Sequence, residues 1–296
     1  MNVFITGATG LVGSRLQEVL KNDFGVVACS SSDLDVTDAK DVEAVVRLAD
    51  FDVLLHLAAY TNVDKAEQEK EKAFAVNVQG TRNVYSAVTK KGKHMIYVST
   101  DFVFDGTRPP YDEENAPNPI GYYGQTKYEG EKIVKDKAMI VRISYPYLEP
   151  SLSFWSGGEG ITIPIKPQTP IDIPFPQRGS RMKQDFVQRL RQLLVQGKEL
   201  RMISNGLMTP TNIDDIGRAL IYLVQHFEPT TYHIVGSESV SPYDAAVRIA
   251  KKYGLDTNLV KQTTYEAFVK GRAKRPQYAH MVSKKNTFQP MRGFLD

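Results

Sequence analysis

Two overlapping Tyr-x-x-x-Lys pairs, Tyr123 with Lys127 and Tyr128 with Lys132, lie in a stretch that reads as a helix over 122–136. Residues four apart share a helix face, so each pair sets a phenol beside an ammonium. That pairing suits proton donation to a carbonyl oxygen during hydride transfer. A phenol with an ordinary pKa of ~10 becomes a usable acid when a nearby positive charge favours the phenolate. Both pairs cannot serve one site, because five residues turn a helix by ~500° and leave the pairs ~140° apart. Tyr123 and Lys127 are the expected pair, since they sit nearer the helix start, on the side where α/β sheets bind ligands. Tyr128 and Lys132 are expected to pair on the surface. A third group, a hydroxyl at the end of the preceding strand, is available from Ser99 and from Thr100.

A glycine loop offers a place for the hydride donor. The strand at 2–6 runs into Thr6-Gly7-Ala8-Thr9-Gly10-Leu11-Val12-Gly13 and then into a helical pattern. In this G-x-x-G-x-x-G spacing Gly7 permits the tight turn, Gly10 lets backbone approach a pyrophosphate, and Gly13 lets the helix lie close on its strand. The helix start supplies N–H donors and partial positive charge. An acid at the end of the second strand would hold the ribose diol of NAD and repel a 2′-phosphate. Here Cys29-Ser30-Ser31-Ser32 brings no acid until Asp33, and serines can donate to phosphate. NADP is therefore the expected cofactor, with NAD left open, and Arg15 is the nearest cation in sequence for the extra phosphate.

These groups need a scaffold. Apolar runs at 2–6, 25–29, 52–57, 94–99 and 138–143 alternate with helical patterns near 11–22, 38–49, 67–91 and 122–136. Alternation of this kind predicts an α/β fold, a doubly wound parallel sheet of the Rossmann type with helices on both faces. Asp38 is positioned to cap the second helix. After Tyr145 the character changes. Residues 146–180 carry Pro146, Pro150, Pro164, Pro167, Pro170, Pro174 and Pro176, which exclude a helix and confine strands to edges. Regular patterns return at 180–197, 200–203, 212–226, 231–235 and 241–253, and the tail beyond 273 reads as irregular. The expected division is a dinucleotide-binding domain over 1–145, with strand contributions from about 199–235, and a smaller C-terminal substrate lobe over 146–296.

Composition narrows the function classes. Of 296 residues, 42% are hydrophobic and 24% charged, the balance of a globular chain rather than a disordered one. No apolar run reaches the ~20 residues of a membrane span. One cysteine, Cys29, excludes an intrachain disulfide and a cysteine-built metal site. A net charge of +3 without a basic stripe gives no reason to expect nucleic acid. The chain opens directly into a strand without a basic leader, so the cytoplasm is the expected location.

Several segments together resemble the extended short-chain dehydrogenase/reductase superfamily, and within it the dTDP-4-dehydrorhamnose reductase family. They are Gly7-Ala8-Thr9-Gly10, Leu34-Asp35-Val36-Thr37-Asp38, Ala58-Ala59-Tyr60-Thr61-Asn62-Val63-Asp64-Lys65-Ala66-Glu67, Asn77-Val78-Gln79-Gly80-Thr81-Arg82-Asn83, Ser99-Thr100-Asp101-Phe102-Val103-Phe104-Asp105-Gly106, and Tyr123-Gly124-Gln125-Thr126-Lys127. The residues around Tyr123, from Asn118-Pro119 to Glu129-Gly130-Glu131, are also similar to the family's catalytic segment. The resemblance implies Thr100, Tyr123 and Lys127 as the catalytic set, with Thr100 polarising the substrate carbonyl and Ser99 a structural neighbour bonded to backbone. It implies a cofactor site from Gly7, Thr9, Gly10, Leu11, Val12 and Ser30, joined by Asp35 and Val36 on the adenine side and by Leu57, Ala58, Ala59 and Tyr60 after the third strand. Asn77 would act as a structural or proton-relay residue. Val63, Asp64, Asp101, Phe102 and Tyr145 would face the substrate, with Tyr145 standing where the family has tryptophan.

The activity so implied is NADP(H)-dependent reduction of a 4-keto-6-deoxy sugar nucleotide. Related dehydratases follow the hydroxyl with two acids, whereas here Asp101 is followed by Phe102, which favours plain reduction. Trp155, within the proline-rich run, could close over the site. The family's D-Q-x-G-x-P-T becomes Asn205-Gly206-Leu207-Met208-Thr209-Pro210-Thr211, a change in the region that forms the sugar-nucleotide pocket. Two alternatives follow: an NADP-binding regulatory subunit like the beta subunit of methionine adenosyltransferase, or a sugar-nucleotide epimerase. A homodimer is the expected assembly.

Overall fold

Val3, Phe4 and Ile5 have no exposed surface, and an apolar strand buried on both sides needs cover on both sides. The computed structural model describes residues 1–149 and 184–296. In chain order the first half comprises β1 (Asn2–Thr6), α1 (Leu11–Leu20), β2 (Gly25–Cys29), α2 (Ala39–Leu48), β3 (Val53–His56), α3 (Val63–Ala66), α4 (Lys70–Phe74), a π-helical turn (Ala75–Gly80), α5 (Thr81–Lys90), β4 (His94–Thr100), α6 (Tyr122–Val134) and β5 (Met139–Ile143). The remainder comprises β6 (Pro146–Tyr147), α7 (Phe186–Val195), β7 (Leu200–Ile203), β8 (Leu207–Met208), β9 (Thr211–Asn212), α8 (Ile213–Gln225), β10 (Thr231–His233), α9 (Pro242–Lys252), β11 (Val260–Thr263), α10 (Tyr265–Val269) and β12 (Tyr278–Ala279).

Six parallel strands form the main sheet in the order β10-β5-β4-β3-β1-β2. Alternate residues of each strand go to opposite faces. Val3, Ile5, Val53, Leu55, Ile96, Val98, Met139 and Val141 pack with Leu16 and Leu20 of α1 and with Ile216, Leu220 and Leu223 of α8. Phe4, Leu54, Met95, Tyr97 and Ile140 pack with Val42 and Val46 of α2, Val84 and Val88 of α5, and Val134 of α6. This is the doubly wound α/β architecture, and the expected strands and first two helices lie where the hydrophobic pattern put them. Asp38 caps α2 by accepting from the backbone of Lys40 and Asp41.

Three expectations are corrected. The single helix expected over 67–91 is broken into α4, the π-turn and α5, because Asn77 turns inward to bind the backbone of Tyr60 and the helix gains a residue there. Of the strands expected to reach the main sheet from 199–235, β10 does so, whereas β7 pairs with β11 in a ladder of its own. The short strands β6, β8, β9 and β12 carry too few residues for a period-two signal. The helix expected from 180 begins at Phe186 in α7, with Asp185 accepting from Gln188 as its cap. Trp155 and most of the 146–180 run lie outside the described residues. No helix among the described residues is long and apolar enough to cross a membrane.

The turn after β1 places the strictest demand on a residue type. Gly7 has φ +71°, and a Cβ there would stand 2.6 Å from the Ala58 nitrogen at the end of β3. Gly7→Ala is expected to destabilise the fold by about 2 kcal/mol or more, from left-handed strain plus the clash, read as a lower urea midpoint with unchanged slope. An unchanged midpoint would contradict the tight β1–β3 approach.

Candidate active site

The helix that carries the Tyr–Lys pair is fixed at its start. Gly121 is its extended N-cap without a capping side chain, and the Tyr122 amide donates instead to Glu67 Oε1 at 2.8 Å. Gly124 lets α6 lie on the turn after β4, since a Cβ there would meet the Phe102 carbonyl at 2.1 Å. Tyr123 and Lys127 then point into the protein, 8% and 3% exposed. Lys127 Nζ donates to the Val98 carbonyl at 2.8 Å and sits 4.1 Å from the centre of the Tyr97 ring. Burial depresses the Lys127 pKa to about 7, and Glu131 one turn on opposes that fall. Burial raises the Tyr123 phenol above its ordinary range; the Thr100 hydroxyl favours its phenolate and the Asp101 charge opposes it. Lys132 pairs with Glu129 and lies over the Tyr128 ring, half-exposed, so the second pair is the surface pair expected.

Thr100 ends β4 and donates to Asp101 Oδ1 at 2.9 Å while its oxygen accepts from the Phe102 amide. Ser144, after β5, donates to the other carboxylate oxygen of Asp101 at 2.9 Å. The Asp101 carboxylate is thus held under Thr100, and burial lifts its pKa to about 6 against the pull of those two hydroxyls. Ser99 was expected to bond to backbone; its buried hydroxyl has no partner among the described residues. Asn77 spends its side chain on Tyr60 N (2.8 Å), Tyr60 O (3.1 Å) and Thr126 Oγ1 (2.9 Å), a clamp between the loop after β3 and α6.

The glycine loop is shaped as a cradle. Gly10 accepts no side-chain cap, and Cβ atoms at Gly10 and Gly13 would meet the Gly7 carbonyl at 3.1 and 2.4 Å. Thr9 is exposed at the turn, and Leu11 and Val12 follow it half-buried as the first residues of α1. Ala8 N bonds to Cys29 O at 3.1 Å, which sets the end of β2 beside this turn. Leu57 N bonds to Thr6 O, and Ala58 N to Thr6 Oγ1, so the loop through Ala59 to Tyr60 leaves β3 on the same side. Asp35 accepts from both the amide and hydroxyl of Thr37, and the Val36 carbonyl accepts from Asn83. Arg15, the expected phosphate cation, is committed elsewhere: its Nε donates to Asp214 at 2.7 Å and its Nη1 to Glu18. These features fit a dinucleotide: a phosphate-sized backbone cradle at an uncapped helix start, ending near a buried lysine.

On the other side of Tyr123, Val63, Tyr60 and Phe102 pack against its ring, with Phe102 edge-on at 5.5 Å. Tyr145, at φ +39°, lies 6.5 Å from Phe102 and 6.1 Å from Phe186 of α7. Asp64, expected to face substrate, accepts instead from Ala273 N at 3.0 Å and pairs with Arg275. The charges of Asp101 and Arg275 both reach the Tyr145 phenol. Arg275, Ser144, Glu131 and the Val98 carbonyl are site components that the residue patterns did not single out. Glu131 was detectable as the residue four after Lys127; Arg275 could be reached only through its pairing across the fold. Arg142 clasps Glu131 with two bonds of 2.9 and 2.7 Å, both side chains buried.

Comparison with known proteins follows the geometry. The RmlD substrate binding domain family model matches residues 1–156 and 179–291. The chain belongs to this family. The dTDP-4-dehydrorhamnose reductase of Mycolicibacterium smegmatis is 30% identical over 291 residues, covering 96% of this chain and 79% of that protein. Methionine adenosyltransferase 2 subunit beta of Bos taurus is 28% identical over 295 residues, covering 94% and 79%. Among solved structures, the dTDP-4-dehydrorhamnose reductase of Bacillus anthracis in complex with NADP superposes with a TM-score of 0.82 at 30% identity, covering 99% of this chain and 95% of that one. The RmlD family thus holds both reductases and a regulatory subunit at similar distance from this chain.

Asp101 provides a test of the site's electrostatics. Its folded pKa, about 6, lies above the unfolded value near 3.8, so the group contributes most stability below pH 4 and that contribution is lost as pH rises through 6. Asp101→Asn should therefore gain on the order of 1–3 kcal/mol relative to wild type between pH 4 and pH 8 in urea titrations. A pH-independent difference would contradict a buried, ionising carboxylate.

Proposed function

We propose that this chain is an NADP(H)-dependent reductase of a 4-keto-6-deoxy sugar nucleotide. The observation that carries the reading is the convergence of Thr100, Tyr123 and Lys127 at the carboxyl ends of β4 and its neighbours, beside the glycine cradle. The cradle of Gly7, Gly10 and the first turn of α1 would hold the pyrophosphate, Leu57 to Tyr60 would pass along the dinucleotide, and Lys127 would face its ribose. When bound, the reduced nicotinamide supplies hydride to the keto carbon.

The chain's own residues do the rest. Tyr123 gives its phenol proton to the carbonyl oxygen as the alkoxide develops. Lys127, ionised beside the Val98 carbonyl, favours the phenolate left behind. Thr100 fixes the phenol and the oxygen it protonates, while Asp101 and Ser144 fix Thr100. Phe102, Val63 and Tyr145 form an apolar wall that excludes water and stacks against the sugar. Beside Val63, Asn62 and Arg189 line an open cleft of about 710 Å³, room for the nucleotide portion. We assign dinucleotide binding to residues 1–145 and substrate binding chiefly to the C-terminal lobe, with the reaction in the cytoplasm.

The relationship to methionine adenosyltransferase 2 subunit beta favours one competing reading, a dinucleotide-binding regulatory subunit. Tyr123→Phe separates the two. The reductase reading expects a fall of about 10²–10⁴-fold in NADPH oxidation with dTDP-4-keto-6-deoxyhexose, at unchanged dinucleotide affinity. Wild-type protein that binds NADPH yet turns over none of several keto-sugar nucleotides would leave the regulatory reading in its place.

A further inference from the structure

The end of β2 carries a chemistry that the glycine cradle does not explain. Thr6 pairs with Cys29 across β1 and β2, and Ala8 N bonds to Cys29 O, so Ser30 emerges beside the phosphate turn. There the chain folds back on itself. Asp33 Oδ2 accepts from Ser30 N at 2.8 Å and from Ser30 Oγ at 2.6 Å, and Ser30 Oγ meets Ser32 Oγ at 2.7 Å. Although Asp33 is three residues past the strand, its carboxylate is returned to the strand's end. The segment 30–41 holds four acids and one cation, Lys40. The other three acids have local tasks: Asp35 binds Thr37, Asp38 caps α2, and Asp41 accepts from Asp35 N. Arg15 is tied to Asp214 and Glu18. In this fold the adenosine ribose of a dinucleotide held at the first helix lies over the end of the second strand.

Resting on the reading of the site as a dinucleotide site, we propose that Asp33, positioned by Ser30, sets its cofactor selectivity. The carboxylate accepts from the 2′- and 3′-hydroxyls of a plain adenosine ribose and stands against a 2′-phosphate. NADH therefore competes with NADPH at this site, and Asp33 is what keeps the preference for the phosphorylated form small. An ionised carboxylate a few ångström from a phosphate dianion repels it, and the repulsion persists in part even where water reaches both. The serines beside it can still donate to a phosphate, which is why the site admits both forms.

Calorimetric titration of the full chain with NAD⁺ and NADP⁺ tests this without turnover. Wild type should bind the two within about tenfold of each other. Asp33→Asn should move the ratio toward NADP⁺ by at least fivefold, chiefly by tightening NADP⁺, while Asp33→Glu should restore the wild-type ratio and Lys40→Gln should leave it within twofold. Ser30→Ala, which keeps the charge but loosens its place, should weaken NAD⁺ more than NADP⁺; this arm decides the matter if Asp33→Asn does not fold. A ratio unmoved by Asp33→Asn, or moved by Lys40→Gln instead, overturns the proposal, as does failure of wild type to bind either dinucleotide. Binding with the Asp33 shift but no keto-sugar turnover keeps this inference and removes the reductase reading; turnover with an unmoved ratio does the reverse.

Discussion

An ammonium taken out of water has to be repaid by fixed dipoles, and the site is organised around that requirement at Lys127. The Val98 carbonyl and the face of Tyr97 lie where they meet Nζ, and the Tyr97 hydroxyl in turn donates to the Lys127 carbonyl at 3.1 Å. This compensation is partial, which is why the lysine's pKa falls to about 7. A lysine in that state changes charge near neutrality and is sensitive to any anion or cation brought close. Glu131 biases it toward the charged form, and Glu131 is itself held by Arg142 on β5. The neighbouring phenol is raised by the same burial, so neither group has its ordinary acidity until a ligand enters between them.

A chain of polar contacts ties this pair to the dinucleotide cradle. Thr6, at the end of β1, bonds to His56 Nδ1 at 2.8 Å; His56 Nε2 meets Thr81 Oγ1 at 3.3 Å; Thr81 donates to the Asn77 carbonyl; Asn77 Nδ2 donates to Thr126; and Thr126 donates to the Tyr123 carbonyl. Since the Thr81 proton is committed to Asn77, the arrangement places the imidazole proton on Nε2. Burial, with the nearby Lys127 charge, holds the His56 pKa down to about 3, so the ring stays neutral and the chain carries no competing charge. The π-turn is the structural consequence: one extra residue in the helix turns Asn77 inward to close the path.

What was legible in the sequence follows from which forces are local. Strands buried on both faces produce unbroken apolar runs, and the glycine spacing reports a steric demand made within a few residues. Both were readable, as was the choice of Tyr123 over Tyr128, because helical rotation is fixed by spacing. Long-range partners were not. Arg15 looks like a free cation until α8 brings Asp214 to it, and Asp64 looks like a substrate contact until the segment at 273–275 reaches it. The break in the 67–91 helix had no propensity signal, since it is driven by a side chain binding backbone seventeen residues earlier. Asp33 was visible as an acid past the strand; only the turn back to Ser30 gives it a place at the site.

The central claim is that a buried phenol becomes acidic when a dinucleotide joins Lys127 beside it. Carbon-13 NMR of protein labelled at the tyrosine ring carbon bearing oxygen reports the Tyr123 titration directly, with and without NADP⁺. The account predicts that Tyr123 titrates above the ordinary tyrosine range in the free protein and falls by two or more pH units in the complex, with the fall lost in Lys127→Met. A Tyr123 resonance that titrates identically with and without bound dinucleotide would contradict it.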